Sequence, residues 1–192
     1  MRNGTGSIVH RARRAVRRWA GIVLAVVVLP VVAAPGTAQA GVADMTCVPP
    51  GSSVATFTPP LTATAQPVAT TLTVSYGPCV SPGAPAVTSG TVSQSGNPPG
   101  RSCLELLQPG PVSFTITWNT GQTSTVIGNR VSTIAGAVLE TVVTGTVTAG
   151  LFTGDTVVQS STGASVDVTL CTVGLGTVAA LYAVVTLEIT SL

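Results

Sequence analysis

The sequence predicts an exported all-β domain, a two-sheet β-sandwich of immunoglobulin-like outline with a β-barrel as the alternative. Three observations carry that expectation: a basic, then apolar, then small-residue start; apolar and polar residues alternating with period two in segment after segment; and four cysteines in a 192-residue chain without lysine.

The start comes first. Arg2, Arg11, Arg13, Arg14, Arg17 and Arg18 precede Ala20 to Ala34, which is apolar apart from Gly21 and Pro30, and Ala38-Gln39-Ala40 follows with small residues where a signal peptidase needs them. Residues 1–40 therefore read as a signal peptide and residues 41–192 as the secreted domain. The apolar run falls short of the roughly 20 residues of a spanning helix and contains a proline, which argues against an anchor. Cys47 follows Asp44-Met45-Thr46, not the small apolar residues of a lipoprotein signal. The Arg13-Arg14 pair invites twin-arginine export, but disulfide formation outside the cytosol favours the general route.

The strands come next. In Pro111 to Asn119, Val112, Phe114, Ile116 and Trp118 share one phase while Ser113, Thr115, Thr117 and Asn119 share the other, so one face is core and the other is wet. Asn119-Thr120-Gly121 supplies a turn, and Gln122 to Ile127 returns as the partner strand of a hairpin. Val68 to Tyr76 and Leu181 to Ile189 repeat the alternation. Val54 to Thr58, Val87 to Gln94, Val138 to Val147, Thr156 to Ser160 and Val166 to Leu170 show the alternation less cleanly, and Cys103 to Leu107 fits one short helical turn. The apolar stretch Val173 to Leu187 ends at Glu188 without a basic flank and reads as a buried strand. Some nine strands, rich in the β-branched residues that suit a pleated sheet, fit one domain.

Cys47, Cys79, Cys103 and Cys171 are even in number and read as two disulfides. The favoured pairing joins Cys79 to Cys103 across a Pro- and Gly-rich loop and Cys47 to Cys171 between an early and a late strand. Zinc is the rival, but no C-x-x-C pair and no histidine support it.

Composition narrows the chemistry. Six of the eight arginines and the single histidine, His10, belong to the leader, leaving Arg101 and Arg130 against six carboxylates, a formal charge of −4. Such a surface offers phosphates no cationic stripe, so neither nucleic acid nor, after leader removal, a membrane is an expected partner. Without histidine or lysine the usual bases for serine or cysteine nucleophiles, Schiff-base chemistry and histidine-ligated metals are missing. Glu105, Glu140, Asp155 and Asp167 are the entrants for a paired-carboxylate mechanism. Glu140 and Asp167 read as outward charges, and no acidic cluster suits calcium. The expectation is a non-catalytic protein without cofactor or metal.

The leader ending in alanines, Ala55-Thr56-Phe57-Thr58-Pro59-Pro60-Leu61, Thr88-Ser89-Gly90-Thr91 before Ser102-Cys103-Leu104, the run Ile116-Thr117-Trp118-Asn119-Thr120-Gly121-Gln122-Thr123-Ser124, and Gly145-Thr146-Val147-Thr148-Ala149-Gly150-Leu151-Phe152-Thr153-Gly154-Asp155 span nearly the whole mature chain. In these pieces the sequence resembles a group of actinobacterial secreted all-β proteins of unknown function. The resemblance implies export and an all-β fold, and it implies no activity.

Two functions stay open. A structural or recognition module for an extracellular or cell-wall ligand would present aromatic or apolar side chains, for which Tyr182, opposite the apolar phase, and the Leu151-Phe152 tip are the candidates; tucked in, that tip would instead plug one end of the fold. A protease inhibitor would use Arg101, on the proline-stiffened segment Asn97-Pro98-Pro99-Gly100-Arg101-Ser102-Cys103, as its reactive residue.

Overall fold

The structure, a computed structural model, describes residues 43–191, so the predicted signal peptide of residues 1–40 lies outside the described residues. Ten β segments follow in order: β1 (Ala43–Cys47), β2 (Ser52–Leu61), β3 (Ala69–Tyr76), β4 (Cys79–Val80), β5 (Gly90–Gly96), β6 (Gly110–Trp118), β7 (Thr123–Ala135), β8 (Val138–Gly150), β9 (Thr156–Ala164) and β10 (Val178–Thr190). A 3-10 turn covers Leu104–Leu107, and one helix, α1 (Val166–Thr172), precedes β10.

The sheet is antiparallel in the order β2-β3-β5-β6-β7-β8-β9-β10, and β10 returns to pair with β2, from Val178 opposite Leu61 to Val184 opposite Ser52. It closes into an eight-strand barrel, the stated alternative, and not into the sandwich. Alternation could not decide between the two, because it assigns each residue a face and says nothing of whether the last strand meets the first. The short segments β1 and β4 aside, neighbours in the chain are neighbours in the wall. Gly128 lies opposite Gly145, where a Cβ on either would run into the backbone of the other strand, so the approach of β7 and β8 at this level requires glycine on both.

β1 and β2 are two parts of one strand: Cys47 is opposite Leu187 and Ser52 opposite Val184 on the same β10. β3 and β4 are broken at the same level, after Tyr76. Pro49, Pro50 and Pro78 sit in these breaks, where a missing N–H costs no ladder bond. The Cys47–Cys79 disulfide crosses between β1 and β4, whose register sets the two residues opposite each other with Cα atoms 4.0 Å apart.

That bond corrects the expected pairing, as does the second disulfide, Cys103–Cys171, whose Cα atoms are 6.0 Å apart. Neither Cys79–Cys103 nor Cys47–Cys171 forms. β5 carries the chain up the barrel between Cys79 and Cys103, and β10 carries it down between Cys171 and the residues that pair with Cys47. Each expected pair thus has its members at opposite ends of a strand, roughly 20 Å or more apart at 3.3 Å per residue.

Val166–Thr172 is a helix and not the predicted strand. One turn buries Val168 and Cys171, three residues apart, against the barrel end, and the Ser165 carbonyl accepts the Thr169 N–H. The stretch Val173 to Leu187, expected as a buried strand, becomes one only from Val178, with Val173 and Leu175 exposed before it, and the remaining expected strands form close to their predicted positions. The β6–β7 hairpin turns at Gly121, with φ of 83°, and Phe114, Ile116 and Trp118 point inward.

Two cores fill the two ends. Around Trp118 the inward side chains of the lower end, among them Met45, Ile116, Val126, Leu187 and Ile189, are buried. The Trp118 indole N–H donates to Ser124 Oγ at 2.8 Å, and Gly90 is required beneath its ring, since a Cβ there would sit 2.7 Å from it. At the upper end Phe57, Leu61, Val68, Leu106, Val168 and Val178 surround the Cys103–Cys171 disulfide. The outward faces carry threonine and serine, as in the cross-strand pair Thr115–Thr125.

Candidate functional site: a chamber between the two cores

Between the cores the barrel is not filled. A cavity of about 470 Å³ lies there, lined by residues of β2, β3 and β5 to β10. An eight-strand barrel is just wide enough either to pack its interior or to hold one small molecule, and the identity of the inward residues decides which. Here the inward positions of the upper half shrink or turn polar: Ser132 on β7, Thr141 on β8, Ser161 and Gly163 on β9, Ala183 on β10, Thr70 on β3. Phe57, Leu72, Phe114, Val143 and Leu181 keep part of the lining apolar. A mostly apolar lining with a few convergent polar groups is the usual character of a small-molecule site.

The floor carries one buried polar contact. Tyr76 donates its hydroxyl hydrogen to Gln159 Oε1 across the lumen. Burial pushes the Tyr76 phenol well above its ordinary pKa, so it is a neutral donor at any physiological pH.

The cationic groups are at the upper end. Arg130 occupies an inward position of β7 between Gly128 and Ser132; its Nη2 donates to the carbonyls of Glu105 and Gln108, both at 3.2 Å. Its Nε has no hydrogen-bond partner. Arg101 also lines the chamber, and its Nε stands 3.6 Å from Glu105 Oε2, an ion pair too long for a hydrogen bond, so neither atom has a hydrogen-bond partner. Burial, followed by the charge of Arg101, lowers the Arg130 pKa, and Glu105 partly offsets this. Thr70 Oγ1, in the same lining, is a further buried atom without a partner.

One seam of the wall is short. β5 and β6 pair only at Gly90–Trp118 and Thr91–Thr117, whereas β6 pairs with β7 from Gly110–Arg130 to Thr117–Thr123. Above Thr91 the two strands separate, and the side chain of Gln94 spans the gap, its Nε2 donating to the Ser113 carbonyl at 2.8 Å. Gln94, Ser95, Gly96 and Pro98 border the chamber there.

The residues singled out in the sequence are placed apart. Phe152, with φ of 65°, lies edge-on to Trp118 with ring centroids 5.9 Å apart, and Leu151 packs on the same core; the tip plugs the lower end. Tyr182 projects outward, 69% exposed, at the other end, opposite Val54. They share no surface. Arg101 does not stand out as a reactive residue: its backbone bridges to Gln66 in both directions and its side chain is 21% exposed beside Glu105. The four cysteines are all in disulfides. Among the described residues no group of three or more His, Cys, Asp or Glu could hold a metal ion, and no helix is long and apolar enough to cross a membrane.

Sequence reasoning missed Arg130, Gln159, Ser132 and Thr141 as site residues. Each interrupts an apolar inward phase, Gln159 following Val157 and Arg130 following Val126 and Gly128, and such interruptions are the available sign of a lumen. The chain matches no protein-family model, no curated protein and no solved structure.

Proposed function

We propose that this is a secreted, non-catalytic ligand-binding protein that carries one small molecule in the upper half of its barrel. The observation that carries the reading is the chamber itself, which lies between two separate cores beside the short β5–β6 seam. At about 470 Å³ it suits a ligand of roughly 15–20 non-hydrogen atoms.

The supporting features are of two kinds. Two disulfides, one beside each core, fit a protein that matures outside the cytosol. The outward faces of β3, β5 and β6 are largely Thr and Ser, whereas those of β7 to β10 also carry the exposed Ile127, Val131, Val158, Tyr182 and Val184. The polar groups of the chamber are hydroxyls, amides and guanidinia without a paired acid and base, which suits recognition better than catalysis. Inhibition of a protease through Arg101 draws no support from a side chain turned inward and paired with Glu105.

The test is titration of the oxidised protein with the neutral fluorescent probe N-phenyl-1-naphthylamine. The wild type is expected to bind one equivalent saturably. Ala183→Trp, which places an indole in the chamber, is expected to abolish binding while costing no more than about 1–2 kcal/mol of stability. Equal binding by both proteins would place the probe elsewhere and defeat the proposal.

A further inference from the structure

Resting on that reading, we infer that the natural ligand is an amphiphile with a single carboxylate and an apolar body, its carboxylate received by Arg130 and Arg101 at the capped end of the chamber. Outside the predicted leader the chain has only two cationic side chains, and both line this one cavity, in a domain whose formal charge is −4. Chance placement on an acidic, threonine-covered surface would not bring them together inside a barrel. Holding cations near each other in a partly dry space is costly unless an anion compensates them.

The protein supplies half of that compensation. Glu105 is the one carboxylate paired with them, leaving two guanidinia against one acid, a local surplus of one positive charge. Its ion pair with Arg101 is loose, and Arg130 meets Glu105 through the backbone carbonyl, not through the carboxylate. Two carbonyls therefore fix the Arg130 guanidinium in place while Nε stays without an acceptor. An arginine held by the carbonyls of Glu105 and Gln108 with its Nε to spare is organised before the anion arrives, which favours a carboxylate over a neutral head. Phe114, Val143, Leu72 and Leu181 then offer the apolar lining for the body of the ligand, and Thr70 Oγ1 offers one more polar contact.

The experiment is displacement of bound N-phenyl-1-naphthylamine from the oxidised protein at neutral pH by decanoate, decanol or inorganic phosphate, so that head, tail and bare anion are compared. Decanoate is expected to displace the probe at a concentration at least tenfold below that of decanol, and phosphate to have no effect in the same range. With each displacement referred to the probe affinity measured for the same variant, Arg130→Met is expected to lose most of the tenfold preference for decanoate over decanol, and Glu105→Gln, which removes the competing acid, to enlarge that preference several-fold. Equal displacement by decanoate and decanol, or a preference that survives in Arg130→Met, would overturn the carboxylate while leaving the cavity reading intact. Displacement by phosphate alone would make this an anion site without a tail requirement and overturn the amphiphile. Failure of the probe to bind the wild type would instead strike the cavity reading, and both proposals with it.

Discussion

The lower and upper halves of the barrel share one wall of strands and one alternation, yet one is solid and the other hollow. Follow β7 upward: its inward residues are Ser124 and Val126, then Gly128, Arg130 and Ser132. β9 runs from Val157 through Gln159 to Ser161 and Gly163, and β10, read backwards, from Ile189 and Leu187 to Ala183. Large branched residues give way to small or polar ones at the same level on each strand. The lower inward side chains are buried, while Ser161, Ala183, Thr141 and Arg130 are only half-buried although they also face inward. Period two decides which way a side chain points; residue volume, compared across neighbouring strands, decides whether the barrel is packed or left open.

The contrast makes the two halves respond differently to change. Trp118→Ala in the solid half removes the central side chain of the lower core and leaves Phe152 and Gly90 facing a void, so it should cost about 3–5 kcal/mol. Chemical denaturation would measure this, and a loss below about 1 kcal/mol would mean that the lower half is not a packed core. Removing the upper staple with Cys103→Ser and Cys171→Ser should cost up to about 4 kcal/mol, the chain-entropy value for two cysteines 68 residues apart. Probe binding should fall in that variant while Trp118 fluorescence stays native, because the cap and the lower core are separate; simultaneous loss of both signals would show one cooperative unit.

The smallest expected effect concerns the outside of the lower end. Burial, then the neighbouring Asp44, raises the Asp155 pKa above the ordinary carboxylate value. A carboxyl whose pKa is raised on folding favours the folded state only while protonated, so its contribution is present in acid and lost as pH rises through the raised value. Asp155→Asn should therefore be slightly more stable than the wild type at neutral pH, with the difference closing as pH falls into the carboxylate range. Thermal melts across that range check the sign, and a variant less stable at neutral pH would refute it. Asp155 is largely solvated, which keeps the effect small.

Much of the wall was legible in the sequence because it rests on local signals. The β6–β7 hairpin needs only the alternation from Val112 to Trp118 and a glycine at position 121. Barrel closure and disulfide pairing were not legible, since both depend on registers between distant segments: β10 against β2, and β1 against β4. α1 was misread because Val166, Val168 and Leu170 alternate as a strand would, and only docking at Val168 and Cys171 selects the helix. For the site, Arg101 was noticed for its loop; the Arg130 beside it could be recognised only once β7 faced the same lumen.

The most direct test of a barrel half solid and half hollow is a crystal of the oxidised protein grown with 10-bromodecanoate and measured at the bromine edge. The account predicts bromine density inside the barrel among Phe114, Val143 and Leu181, with the carboxylate at Arg130. An upper half filled by its own side chains, or bromine found only on the outer surface, would contradict it.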